Sequence, residues 1–230
     1  MDEVERMFEK SGAKLNGHFL LASGRHSPVY WEKFQVLQFP DYTVRLCSMF
    51  ARFFRKYNVQ VVAGPTTGGV ILAFETARQL AVRGIFAEKP VLKGPVPKPA
   101  APVAGNAEGQ GVSQAEGPVP NAEVPVMNTV EREHAAGRVF RRGFKIDPGE
   151  RVLIVDDILT TGTSLKEVVD AVNEKKGTIV GISVLVDRSE TPVDFGVPLF
   201  SCLRSLTPTY APESCPLCAQ NIPLVKPGSS

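Results

Sequence analysis

Apolar residues recur along this chain at two spacings, and the switches between them mark out its elements. Val4, Met7, Phe8 and Leu15 fall near helical spacing and predict a short amphipathic helix within residues 1–16. Between Asn16 and Trp31, glycines and Ser27-Pro28 break the chain into two short strands about a turn. Pro40-Asp41 opens a helix whose apolar face is Leu46, Cys47, Phe50, Phe53 and Phe54, and which ends before Asn58. Residues 59–63 read as a buried strand, 64–69 as a tight loop, 70–81 as a helix and 84–87 as the next strand. That order is a βαβ unit and predicts a parallel sheet. A strand is expected within 137–144, followed by a turn at Asp147-Pro148-Gly149. Residues 151–155 form an apolar strand, 156–163 a loop, and 164–176 a helix with the stripe Leu165, Val168, Val169 and Val172. Strands at 178–186 and 199–203 complete the pattern.

Residues 90–136 interrupt it. Positions 90–128 hold eight of the 19 prolines and no aromatic residue, so this stretch has too little apolar surface to offset its ordering entropy. It reads as a proline- and alanine-rich disordered insertion. The domain plan is therefore an N-terminal segment at 1–40, a core built from 41–89 and 137–230, and the insertion between the two core pieces.

Composition excludes several classes. Hydrophobic residues make up 43% and charged residues 22%, as in an ordinary globular protein. The formal net charge of +2 lacks the broad basic footprint of a nucleic-acid binder, although Arg141-Arg142 is a local cluster able to meet a phosphate. No apolar run approaches the roughly 20 residues that span a bilayer. The first ten residues mix acids, bases and apolar side chains, unlike a secretory signal, so a cytoplasmic protein with no membrane partner is expected. Four cysteines, Cys47, Cys202, Cys215 and Cys218, are too few and scattered for a disulfide framework. Cys215-Pro-Leu-Cys218 has the spacing of half a zinc site, but a closed site needs four ligands and no second cysteine pair exists. Two reduced cysteines in a turn is the simpler reading. A knuckle completed by Cys202 or a partner chain, or a redox pair, is the alternative.

The chemistry concentrates in Val152-Leu153-Ile154-Val155-Asp156-Asp157-Ile158-Leu159-Thr160-Thr161-Gly162-Thr163-Ser164. An apolar strand ends in two carboxylates, a small hydroxyl-rich turn follows, and a helix begins. Gly162 and its hydroxyl neighbours let consecutive backbone N–H groups converge on an anion, to which the helix N-terminus adds its dipole. Asp156 and Asp157 would repel that anion but suit the vicinal hydroxyls of a ribose, or a magnesium ion near it. A phosphate cradle beside a diol clamp describes a ribose 5-phosphate site. Neither the dinucleotide-binding nor the P-loop glycine pattern occurs.

This string resembles the phosphoribosyl pyrophosphate (PRPP) motif of type I phosphoribosyltransferases. Other segments resemble the orotate phosphoribosyltransferases among them. Gly17-His18-Phe19-Leu20-Leu21-Ala22-Ser23-Gly24 is similar to their base-covering hood, and Gly64-Pro65-Thr66-Thr67-Gly68-Gly69 to their pyrophosphate loop. Phe86-Ala87-Glu88-Lys89 and Arg141-Arg142-Gly143-Phe144 resemble the strands flanking their flexible loop. Val186-Asp187-Arg188-Ser189-Glu190 and the Cys215–Cys218 segment also look like family features. The resemblance implies an α/β fold with a parallel sheet, helices on both faces and a small N-terminal hood.

It further implies that orotate and PRPP yield orotidine 5′-phosphate and pyrophosphate in the pyrimidine route to UMP. Asp156, Asp157, Ile158, Leu159, Thr160, Thr161, Gly162, Thr163 and Ser164 are expected to hold PRPP. Thr66, Thr67, Gly68 and Gly69 would lie against its pyrophosphate, with Lys89 supplying charge. Lys89, Asp156 and Asp157 are the catalytic candidates. Thr160 and Arg188 would meet orotate, since a guanidinium reads a carboxylate through paired hydrogen bonds. The bland reading of Arg188 is a surface pair with Glu190 or Asp187. Mg2+ is the implied cofactor, with no side-chain ligand that can be named, and a homodimer is the implied assembly. A transferase for another base, or a non-catalytic PRPP-sensing regulator, is the competing reading.

Overall fold

A computed structural model describes residues 3–21, 23–90 and 137–227. The expected insertion beyond Pro90 lies outside the described residues, and with it Lys93, Lys98 and His134, the cations that could stand in for those of the family's flexible loop; so does Ala22 of the hood segment.

Helix α1 (Glu3–Lys10) buries Val4, Met7 and Phe8. It is shorter than the pattern predicts: Gly12 takes φ +70°, and Leu15 belongs to the following strand, where it is partly exposed. Strands β1 (Lys14–Leu20) and β2 (His26–Trp31) form an antiparallel hairpin. Ser27-Pro28 does not break β2 as expected. Asn16 pairs with Val29 and Phe19 with Ser27, so Gly17 and His18 together face Pro28. This is a bulge, and it places a residue with no N–H where the ladder is already irregular. A short helix α2 (Lys33–Leu37) follows, capped by the Glu32 carboxylate on the Phe34 N–H, and carries no warning in the periodicity.

Helix α3 (Pro40–Phe54) starts on a proline at its first turn, where a missing N–H costs nothing, and its chain reverses through left-handed Asn58. Leu46, Cys47, Phe50 and Phe54 are buried as predicted; Phe53 is partly exposed instead. The remaining elements are β3 (Val61–Pro65), α4 (Gly68–Leu80), β4 (Arg83–Glu88), β5 (Val139–Phe140), β6 (Arg151–Leu159), α5 (Thr163–Glu174), β7 (Thr178–Asp187), β8 (Leu199–Arg204) and the single turn α6 (Pro216–Ala219).

Six strands make one sheet in the order β5-β4-β3-β6-β7-β8, all parallel except β5, which runs antiparallel to β4. Alternate residues of the central strands serve opposite faces. Val62, Leu153 and Val155 join the core under α1 to α4, while Val61, Ala63, Val152 and Ile154 join Leu165, Val168 and Val172 of α5. Helices thus cover both faces, as expected.

Two boundaries differ in ways that matter. The strand expected across 137–144 shrinks to two residues, because Arg142 and Gly143 both take positive φ and turn the chain. The first half of the loop expected at 156–163 is strand. β6 continues through Asp156 and Asp157 to Leu159, paired with β7 as far as Leu159 opposite Asp187. Backbone pairing with β7 outweighs the low strand preference of aspartate.

Candidate active site

From β3 the chain moves outward to β4, and from β6 it moves the other way to β7 and β8. The order therefore reverses between β3 and β6, and crevices at such reversals, at the carboxyl ends of strands, are where open α/β sheets bind ligands. Register pairing of β3 with β6 stops at Ala63 opposite Ile154. Beyond it, β3 leads through Thr66 and Thr67 into α4, while β6 runs on through both aspartates into α5. The two turns flank the opening.

Asp156 and Asp157 are both 6% exposed. Asp156 accepts from the Asp157 N–H and Asp157 from the Ile158 N–H, each at 2.8 Å. Burial, with Asp157 alongside, pushes the Asp156 carboxyl up to about 8. Burial also raises Asp157, although Lys33 pulls against it through charge and a hydrogen bond. Lys33 Nζ stands 3.1 Å from Asp157 Oδ2. Sequence reasoning missed Lys33 because nothing in its local pattern announces α2 or directs it 124 residues along the chain.

The Thr66–Gly69 turn packs directly on Asp157. A β-carbon at Gly68 would fall on Asp157 Oδ2, and one at Gly69 would come within 2.6 Å of Pro65 Cδ. Only glycine fits where backbone approaches a carboxylate this closely. Arg138 was also missed. It is 7% exposed and holds this turn from behind, donating to Thr66 Oγ1 at 3.0 Å and to the Thr66 and Ala87 carbonyls at 3.3 Å. Its Nε lies 3.2 Å from Glu167 Oε2 on α5, an ion pair without hydrogen-bond alignment. The predicted cluster next to it divides otherwise: Arg142 pairs with Glu88 at 3.1 Å.

On the β6 side, Thr160 and Thr161 are exposed, and Gly162 at φ +77° caps α5 with no side-chain acceptor for its first-turn amides. Thr161 and Thr163 share a 2.9 Å hydroxyl contact, and Ser164 is half-buried. Leu159 turns its side chain into the α5 core and Ile158 packs toward the opposite one, so these two offer backbone only. Lys89 is exposed one residue past β4, whose Ala87 carbonyl receives the Thr66 N–H at 3.1 Å. It therefore stands on the same edge as the Thr66 turn.

Arg188 is paired with neither Glu190 nor Asp187. Asp187 accepts from the Ser189 N–H and hydroxyl, at 2.9 and 2.6 Å, and Glu190 accepts from Thr209. The Arg188 Nε is buried without a partner. Burial draws the guanidinium down from its ordinary value, with Tyr30 of the hairpin near enough to oppose that. Arg188 lines a cleft of about 330 Å³ with Arg25, Glu190 and Thr209. A half-buried guanidinium whose Nε has no partner suits an anion, and a planar carboxylate matches its fork.

Residues 45–196 match the model of the phosphoribosyl transferase domain. The chain is 42% identical over 228 residues to an orotate phosphoribosyltransferase of Pelotomaculum thermopropionicum, covering 99% of this chain and 97% of that protein. It is 39% identical to one of Caldanaerobacter subterraneus with the same coverage. The crystal structure of an orotate phosphoribosyltransferase from Aeropyrum pernix shares the fold at a TM-score of 0.60 and 23% identity, over 87% of this chain and 93% of that one.

Proposed function

The chain belongs to the phosphoribosyl transferase domain family and, within it, to the orotate phosphoribosyltransferases, and we propose that it transfers the phosphoribosyl group of PRPP to orotate, giving orotidine 5′-phosphate and pyrophosphate on the route to UMP. The observation that carries this reading is the packing of Gly68 on Asp157. It sets a turn suited to pyrophosphate against a carboxylate suited to ribose hydroxyls, with the uncapped start of α5 beside both.

In this reading the α5 amides and the hydroxyls of Thr160, Thr161, Thr163 and Ser164 hold the 5-phosphate. Asp156 and Asp157 accept from the ribose hydroxyls and fix the ring. Thr66 to Gly69 and Lys89 receive the pyrophosphate. Thr160 and Arg188 hold orotate, Arg188 through its carboxylate. The bond from the anomeric carbon to the pyrophosphate oxygen breaks as a ring nitrogen of the base bonds to that carbon. Positive charge builds on the ribose and negative charge on the leaving group, so catalysis is positioning and electrostatics, with no covalent nucleophile. Asp156 and Asp157 are hard oxygen donors side by side in one buried spot, and they would suit Mg2+ near the ribose. When bound, that ion supplies positive charge against the departing pyrophosphate.

We place the protein in the cytoplasm as a homodimer. Among the described residues no helix is long and apolar enough to cross a membrane. Phe74 of α4 is 70% exposed, with Ile71 of α4 and Val44 of α3 also partly exposed, which suits an isologous contact. The test is consumption of orotate with PRPP and magnesium, run beside adenine, hypoxanthine and uracil. Turnover of orotate alone supports the assignment; turnover of another base in its place, or PRPP binding without pyrophosphate release, overturns it.

A further inference from the structure

Four side chains outside that crevice meet at one point. His18 Nε2 lies 2.9 Å from His26 Nδ1 and 3.5 Å from Cys215 Sγ. Cys218 Sγ lies 3.7 Å from His18 Nε2 and 3.3 Å from His26 Nδ1. None of the separations among the four atoms exceeds 4.8 Å. We propose that His18, His26, Cys215 and Cys218 form a structural zinc site that fastens the C-terminal segment to the β1–β2 hairpin.

The geometry fits a closed tetrahedron. Zinc–nitrogen bonds of about 2.0–2.1 Å and zinc–sulfur bonds of about 2.3 Å imply edges of about 3.3 Å between nitrogens, about 3.6 Å between nitrogen and sulfur and about 3.8 Å between sulfurs. The four individual separations above, from 2.9 to 3.7 Å, lie within about half an ångström of those edges, and the other two do not exceed 4.8 Å. Donor chemistry agrees, since two thiolates and two imidazoles are a borderline-soft set and select zinc over magnesium or calcium. Binding releases the two thiol protons and leaves a neutral centre, two thiolates against the dication.

The surroundings aim these donors. The His18 Nδ1 lies 2.8 Å from the Ile222 carbonyl oxygen. That oxygen only accepts, so Nδ1 carries the proton and Nε2 turns its lone pair to the cluster, the outer-shell arrangement that metal-bound histidines use. The bulge at Gly17–His18 is what swings His18 out of the hairpin's alternation. His18, His26 and Cys215 are buried, at 2%, 5% and 4% exposure. Cys202 is not one of the four: its thiol points to the Leu46 carbonyl oxygen at 3.8 Å.

The tail reaches both edges of the hairpin. Tyr210 exchanges backbone hydrogen bonds with His26, both at 2.9 Å, and Val225 exchanges them with the β1 edge through His18 O and Leu20 N, both at 2.8 Å. Cys215 and Cys218 lie on the crossing between those contacts. A bound ion would lock that crossing, and with it the hairpin that carries Tyr30 toward Arg188.

The test needs no activity measurement. The full chain, purified without chelator from zinc-supplemented cells, is expected to carry one zinc per chain by elemental mass spectrometry. Exchange for cobalt is expected to give tetrahedral ligand-field bands with a thiolate charge-transfer band. Cys215→Ser/Cys218→Ser is expected to lose both signals, and Cys202→Ser to keep them. Chelation is expected to lower the unfolding midpoint by at least about 5 °C. Zinc far below one per chain with no cobalt–thiolate band overturns the proposal, as does full zinc content in the double variant or a Cys215–Cys218 disulfide in fresh protein. Should the double variant fold poorly, cobalt titration of the unaltered chain still decides.

Discussion

Lys33 Nζ sits 3.1 Å from Asp157 Oδ2, joining a short helix after the N-terminal hairpin to the carboxyl end of the central strand. Burial draws the ammonium down, but the charge and hydrogen bond of Asp157 outweigh it and leave Lys33 raised. The pair is two-thirds shielded from water on the lysine side and nearly wholly so on the carboxylate side. Lys33→Ala leaves the Asp157 carboxylate buried without its cation. We expect kcat/KM for PRPP to fall at least about tenfold, equal to 1.36 kcal/mol of barrier. Unchanged steady-state kinetics would remove Lys33 from the site.

Asp156 gives the free enzyme a pH signature. Its folded value, up to about 8, lies above the ordinary carboxylate value of 3.8. Between those two values the folded chain holds a proton that the unfolded chain has lost, so stability falls as pH rises through that window. The unfolding midpoint without substrate should therefore be higher at pH 5.5 than at pH 8, and Asp156→Asn should flatten the slope while weakening PRPP binding. A wild-type midpoint that climbs over the same range would contradict the assignment.

Gly68→Ala places a methyl group on the Asp157 carboxylate. The turn or the acid must shift, and displacement of that order at a reacting centre costs roughly 100-fold in rate. We expect kcat/KM to drop by about that factor, with far-ultraviolet circular dichroism unchanged. Activity within twofold of wild type would show that the turn does not serve the reaction.

Arg188→Ala should raise the KM for orotate by about 10- to 100-fold, the usual loss when a carboxylate gives up its charged hydrogen bonds. The KM for PRPP should move little. Equal effects on both substrates would place Arg188 elsewhere in the mechanism.

Lys89 is exposed at the end of β4, beside the edge that carries Thr66. Lys89→Ala should cut kcat at least about tenfold, because its charge is placed to meet the leaving pyrophosphate. A full-speed Lys89→Ala enzyme would return this residue to an ordinary solvated lysine.

Much of this protein could be read along the chain. The strand–turn–helix order around residues 61–80 and 151–174 needs only local periodicity, and both segments fold as expected to within a few residues. The segment proposed to hold the phosphate is contiguous: Asp156 to Ser164 are nine consecutive positions, and one strand-to-helix turn brings them together. Boundaries were less legible. Aspartates signal a loop in isolation, yet pairing with β7 carries the strand through them.

Tertiary structure decided the rest, and the reason is distance along the chain. Lys33 meets Asp157 across 124 residues, and Arg138 meets Thr66 across 72. Periodicity has no term for such contacts; they exist only once the sheet has ordered its strands. The same holds for Cys215 and Cys218, which looked like half a site because their partners, His18 and His26, stand at the other end of the sequence. Local composition set what each segment could become, and closure of the fold chose which side chains would face one another.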